Sequence, residues 1–240
     1  MGSRIRLDQC MAIRGLSQSR SQAGNLIRLG KVLVDGRIVQ RPSYLVSMEQ
    51  VVDFVDRKKY VSRAGLKLAS VVQSLDIDFI DKTVLDVGSS TGGFTDYALQ
   101  HGAKKVIAVD VGTDQLHPSL RSDSRIELHE KTDIRHFKPD DVIDTVVIDV
   151  SFISLRDILP YIKQIASKTT NVIAMVKPQF EAGKHQVSKG VIKNDAIRRQ
   201  ILKDFEAWVK EYFIITNKAD SKVAGAKGNR ERFYLLQPIV

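Results

Sequence analysis

A single cysteine, Cys10, is all the thiol chemistry this chain has. It excludes an intramolecular disulfide and leaves no cysteine cluster for a structural metal, so no metal is expected and a reducing compartment fits. Long apolar runs are missing too. None approaches the roughly 18 residues of a membrane span, and Met1-Gly2-Ser3-Arg4-Ile5-Arg6 lacks the apolar core of a secretion signal. The chain is therefore expected in the cytoplasm. Acidic residues are scarce at one end: residues 1 to 67 hold 13 Lys and Arg against 5 Asp and Glu, whereas the remainder is nearly balanced, within a net charge of +9. Solubility alone gives no reason to concentrate charge, so nucleic acid is the favoured partner, with an anionic membrane surface or a merely solvated face as alternatives.

What is present is ordinary globular composition, 43% hydrophobic and 27% charged over 240 residues, enough for one or two domains. The rest of the chain is organised around Thr83 to Thr95, where Thr83-Val84-Leu85-Asp86-Val87 runs into Gly88-Ser89-Ser90-Thr91-Gly92-Gly93-Phe94. A short apolar strand that ends at an acid and turns through glycines into a helix is how open α/β sheets build a ligand cradle. The spacing is not the G-x-G-x-x-G of dinucleotide sites, so a nucleoside without phosphates is expected, contacting Asp86 and residues 88 to 94. A side chain at Gly92 is expected to intrude on that ligand. Asp110 closes the next apolar run, next to Val111, placed to accept hydrogen bonds from a ribose diol. Asp133, after the third strand, is read either as a partner for an adenine amino group or as a turn residue.

Before this cradle, Leu7, Cys10 and Met11 have helical spacing, stopped at Gly15. Ser17 to Arg20 offers caps for a second helix carrying Ala23, Leu26 and Ile27, closed by Gly30. Lys31 to Val39 is a hairpin around Asp35-Gly36, and Val51 to Val55 is another strand. Arg4, Arg6, Arg20, Arg28 and Lys31 are candidate RNA contacts. Arg6 and Arg20 stand at helix starts, where backbone N–H groups also favour phosphate. Arg57 to Arg63 is a basic connector without periodicity, so the expected domains are 1–56 and 64–240, joined by a linker at 57–63.

Beyond the linker, seven apolar runs alternate with helical patterns up to a final pair, Phe213 to Asn217 and Phe233 to Val240, with no helix between them. The pattern predicts a doubly wound, seven-stranded, mostly parallel sheet with an antiparallel last strand. That ending suits the methyltransferase variant of the Rossmann architecture. Lys67, Asp149, Lys177 and Glu231 are the catalytic candidates: a lysine between an apolar strand and a proline, beside a second ammonium and oriented by two carboxylates, is suited to act as a base. The alternative for Lys177 is a strand-end lysine reaching to solvent. Asp149-Val150-Ser151-Phe152 is not the [DN]-P-P-[YF] turn of base-amine methylation, and the lone cysteine lies outside the crevice. A ribose hydroxyl remains as the acceptor.

The early helices and the Gly30-Lys31-Val32-Leu33-Val34-Asp35-Gly36 segment resemble the S-four-type RNA-binding domain, a small α+β fold, over about residues 4 to 56. With S-R-A-G-x-K-L at 62–68, D-V-G-S-S-T-G-G-F-T at 86–95, D-V-S-F-I-S-L at 149–155, V-K-P-Q-F-E at 176–181 and G-N-x-E-x-F at 228–233, nearly the whole chain resembles the TlyA family. These are haemolysin-A-like ribosomal RNA 2′-O-methyltransferases with an FtsJ-type catalytic domain. The resemblance implies S-adenosylmethionine as cofactor, a Lys-Asp-Lys-Glu tetrad at Lys67, Asp149, Lys177 and Glu231, and cytidine in ribosomal RNA, within subunits or the assembled ribosome, as target. Arg230 and Arg232 depart from the pattern, because an apolar or aromatic neighbour of the glutamate is more usual. A pore-forming haemolysin and a ribosome-assembly factor with a vestigial fold are the rival readings.

Overall fold

The computed structural model describes residues 4–17, 19–55, 59–183, 190–192, 194–225 and 227–239. They divide into two compact units, 1–59 and 60–240.

The first unit runs β1 (Ile5–Arg6), α1 (Leu7–Ile13), α2 (Arg20–Arg28), β2 (Val32–Val34), β3 (Arg37–Ile38), β4 (Leu45–Val46) and β5 (Val52–Phe54). Ser19 caps α2 by accepting from the Gln22 N–H at 3.2 Å, as its polar oxygen and position require. Asp35 and Gly36 both take positive φ, 48° and 77°. That is the mirror-image turn that matches strand twist, so Val34 pairs with Arg37 across the hairpin. Leu7, Cys10, Met11, Ala23, Ile27, Val32 and Val46 form a fully buried core. β1 and β4 pair antiparallel, Ile5 with Val46; two-residue strands carry no period from which they could have been expected.

The second unit runs α3 (Arg63–Leu75), β6 (Thr83–Val87), α4 (Gly93–Gln100), β7 (Lys105–Val109), α5 (Pro118–Arg121), β8 (Ile126–His129), β9 (Thr145–Ile148), α6 (Leu159–Ile165), β10 (Asn171–Val176), α7 (Pro178–Glu181), α8 (Asp195–Val209), β11 (Phe213–Asp220) and β12 (Arg232–Pro238). Its strands form one sheet in the order β11-β12-β10-β9-β6-β7-β8. All neighbours are parallel except β12, which runs antiparallel between β10 and β11. Strand side chains alternate between two buried cores: Leu85, Val146 and Ala174 pack with α6 and α8, whereas Val84, Val147 and Ile173 pack with α3 and α4. Burying each such valine or leucine contributes roughly 1.5–3 kcal/mol.

Residues 60 to 63, expected in the linker, pack within this second unit. Tyr60 is buried in the core of α3 and α4, and the Val61 N–H donates to Asp96 at 2.7 Å. Residues 57 and 58 lie outside the described ones.

Candidate active site

The parallel strands converge at their carboxyl ends, and β7 and β9 stop one residue before an acid, leaving Asp110 and Asp149 outside the ladder. Past β6 the backbone turns at Gly88, with φ of 78°, which is open to glycine without strain. The N–H groups of Gly88 and Ser89 both donate to the Val109 carbonyl. Asp110 accepts from the Ser90 N–H at 2.8 Å and the Gly112 N–H at 2.7 Å. The turn is thereby locked to the end of the next strand.

Asp86 is 1% exposed. Its Oδ2 accepts from the Thr95 N–H at 2.9 Å and the Thr95 hydroxyl at 2.6 Å, while Oδ1, like the buried Ser89 Oγ, has no partner among the described residues. Burial pushes this carboxyl up to about 7; the Thr95 hydroxyl opposes the shift, and nearby Asp149 adds to it. Two adjoining clefts open here. One of about 460 Å³ is lined by Val87, Gly88, Ser90, Asp110, Val111, Asp133, Asp149 and Phe152 among others. The second, about 140 Å³, is lined by Ser62, Asp86, Ser89, Thr91, Phe94, Asp149, Ser151 and Lys177 among others.

The four catalytic candidates are brought together as two ion pairs. Lys67 Nζ, on α3, lies 2.7 Å from Glu231 Oε2, and Lys177 Nζ, just past β10, lies 2.6 Å from Asp149 Oδ1. All four side chains are buried or nearly so. Burial pushes the Asp149 carboxyl up, opposed by Lys177 and Lys67. The arginines beside Glu231 do not disturb its placement: Arg232 turns to Asp220, with Nε 2.6 Å from Oδ1, and Arg230 to Asp195. Alternation along an extended strand sends neighbouring side chains to opposite faces.

Two glycines of the cradle have a different task from the expected one. A Cβ on Gly92 would meet Leu120 Cδ1 at 2.5 Å and Leu116 Cδ1 at 2.7 Å, away from the clefts. One on Gly93 would meet Ser62 Oγ at 2.2 Å and the Gly65 backbone at 2.9 Å. Both therefore permit close packing around α4, and neither lines these two clefts. Phe94 lines the smaller cleft while packing on Phe233, ring centres 6.0 Å apart. Val111 is 72% exposed at the larger cleft. Asp133 caps the turn Ile134–His136 and grips the Arg135 guanidinium, which holds its carboxyl down at about 2. The turn reading thus holds for a residue that also lines the cleft.

In the first unit Arg6 pairs with Asp8 at 2.8 Å, and Arg20 reaches the same carboxylate at 3.6 Å. Arg4 and Lys31 are exposed, and Arg28 donates to Asn25 Oδ1 at 3.1 Å. Three residues near the second unit's site escaped the sequence reading. Ser151 Oγ accepts from Lys177 Nζ at 2.7 Å. Phe152, at φ 66°, holds its ring 92% exposed, 5.3 Å from that of Phe180. Buried Asn229 accepts from the Ile192 N–H and donates to the Gly190 carbonyl, fixing the approach to Glu231. The positions of Ser151 and Phe152 in the Asp149-to-Leu155 motif were the available signal.

A family model for FtsJ-like methyltransferases matches residues 60–237, and one for the S4 domain matches residues 5–52. The chain belongs to the FtsJ-like methyltransferase family. It is 38% identical over 240 residues to the 23S rRNA (cytidine-2′-O)-methyltransferase TlyA of Campylobacter jejuni, covering 91% of this chain and 94% of that one. It is 40% identical over 200 residues to the 16S/23S rRNA (cytidine-2′-O)-methyltransferase TlyA of Mycobacterium tuberculosis, covering 81% and 75%. A solved structure of a hemolysin-named protein from Streptococcus thermophilus aligns with TM-score 0.73 at 34% identity, covering 99% of this chain and 90% of that one. FtsJ-like methyltransferases take their methyl group from S-adenosylmethionine. Among the described residues no helix is long and apolar enough to cross a membrane.

Proposed function

We propose that this chain methylates the 2′-hydroxyl of a cytidine ribose in ribosomal RNA, within ribosomal subunits or the assembled ribosome, in the cytoplasm. The observation that carries the reading is the pair of ion pairs, Lys67 with Glu231 and Lys177 with Asp149, beside the glycine turn at the sheet's carboxyl edge.

The residues fit S-adenosylmethionine. The unpartnered Asp86 Oδ1 and Ser89 Oγ, buried in the smaller cleft, suit the cofactor's ammonium. Asp110, whose oxygens retain free lone pairs beyond the two backbone donors, suits a ribose diol at the larger cleft, with Val111 and Asp133 beside the base. Gly88, Ser90, Thr91 and Phe94 shape the walls between. When bound, the cofactor supplies an electrophilic methyl group on a sulfonium.

Lys177 acts as the base that takes the proton from the 2′-hydroxyl. Asp149 holds its nitrogen at one side, and the Lys67 ammonium, held in place by Glu231, supplies a positive charge that favours a developing alkoxide. The exposed Phe152 ring offers a stacking face for a nucleobase drawn out of its helix. In the first unit, Arg6 and Arg20, fixed by a shared carboxylate, present guanidinium edges to phosphate, with Arg4, Arg28 and Lys31 extending the basic face. That unit supplies docking, and the second supplies chemistry.

Tritium transfer from labelled S-adenosylmethionine to purified ribosomal subunits, followed by nucleoside mass spectrometry, tests the reading. The expected product is 2′-O-methylcytidine; label on a base or on protein would contradict it.

A further inference from the structure

We infer that Ser151 carries the proton taken up by Lys177 out to solvent, acting as a relay and positioning residue that does not itself touch the ribose. The inference rests on the reading of Lys177 as base. Lys177 is 8% exposed, and a ribose that reaches its nitrogen must occupy that small opening. Direct exchange with water is then closed. Ser151 is exposed, lines both clefts, and accepts from Lys177 Nζ at 2.7 Å. A hydroxyl that accepts one hydrogen bond still has its own O–H to donate. The buried carboxylate of Asp149 has no such proton to pass on.

The geometry also orients the base. The hydrogen bond to Ser151 Oγ at 2.7 Å fixes one N–H direction of the amine, while Asp149 Oδ1, 2.6 Å away, holds it as an ionic partner. The proton balance is complete with these groups and water. The neutral Lys177 amine accepts the 2′-hydroxyl proton as that oxygen's electron pair forms the new O–C bond, and the methyl's bond to sulfur breaks with its electron pair left on the departing thioether. The resulting ammonium passes a proton to Ser151 Oγ while the Ser151 hydroxyl passes its own to water. Lys177 returns to the neutral amine, Ser151 is unchanged, and one proton is released per methyl transferred.

The test uses the full chain, S-adenosylmethionine and ribosomal subunits at saturating concentrations. Transfer rates are measured for Ser151→Ala and Ser151→Thr with increasing imidazole at constant ionic strength, and unchanged melting temperature and cofactor affinity establish that each variant is folded. Ser151→Ala is expected to lose about tenfold in rate, less than the roughly hundred- to ten-thousandfold of a general acid or base in direct contact with the reacting group, and to recover as imidazole is added. Ser151→Thr, which keeps the hydroxyl, is expected to stay near the unmodified rate without imidazole. A Ser151→Ala rate equal to the unmodified enzyme's would overturn the relay, as would a lowered rate that imidazole does not raise. Lys177→Met separates the base from the relay: full activity in that variant would remove Lys177 as the base, whatever Ser151 does.

Discussion

Gly92 shows how one residue can be legible in kind and misread in purpose. A glycine in the turn was expected from the sequence, and its φ of 88° requires one. Yet the space a side chain would need is filled by Leu116 and Leu120. Gly92→Ala is therefore expected to destabilise the fold by about 1–3 kcal/mol through overpacking and backbone strain. Chemical denaturation should show the loss, while calorimetry on the folded fraction shows nearly unchanged cofactor affinity. A second residue-scale prediction concerns Asp86, whose carboxyl lies at about 7 in the folded chain against 3.8 as its ordinary value. An acid raised in this way binds its proton more tightly when folded. Its contribution to stability is fully present below the lower value and declines as pH rises through the upper one. Asp86→Asn, which keeps the shape and cannot ionise, should gain on the unmodified chain between pH 5 and pH 8 in urea unfolding without ligand. Parallel stability profiles would show that Asp86 is not held up.

Among the elements, those with a strong local signal were legible. The Asp35-Gly36 hairpin, the helix stops at Gly15 and Gly30, and the seven strands of the large sheet all follow from turn chemistry or apolar runs. β1 and β4 were not, because a two-residue pairing is decided by tertiary contact. Tyr60 to Arg63 read as linker for a related reason: their order comes from partners far along the chain, such as Asp96. The site divides in the same way. The acids and lysines at strand ends could be placed, whereas Ser151 and Asn229 are defined by a hydrogen bond that no spacing encodes. At α1 and α2, Arg6 and Arg20 meet on Asp8. Replacing both by glutamine is expected to weaken RNA binding and to reduce its salt dependence by roughly one counterion for each. Cofactor affinity should not change. Filter binding at several salt concentrations measures this, and an unaltered slope would remove these two arginines from the RNA interface.

For the whole molecule, the proposed function gives docking to the basic first unit and proton transfer to the two ion pairs of the second. Those tasks separate experimentally, because general-base help acts on the chemical step and phosphate contacts act on binding. The most direct test is single-turnover methyl transfer by Lys177→Arg, with RNA and cofactor affinities measured on the same protein. A guanidinium keeps the positive charge and stays protonated. With Lys177 as the base, the rate is expected to fall by about a hundred- to ten-thousandfold with both affinities retained. Transfer near the unmodified rate would mean that a fixed charge at this position suffices, and would contradict the assignment of Lys177 as the base.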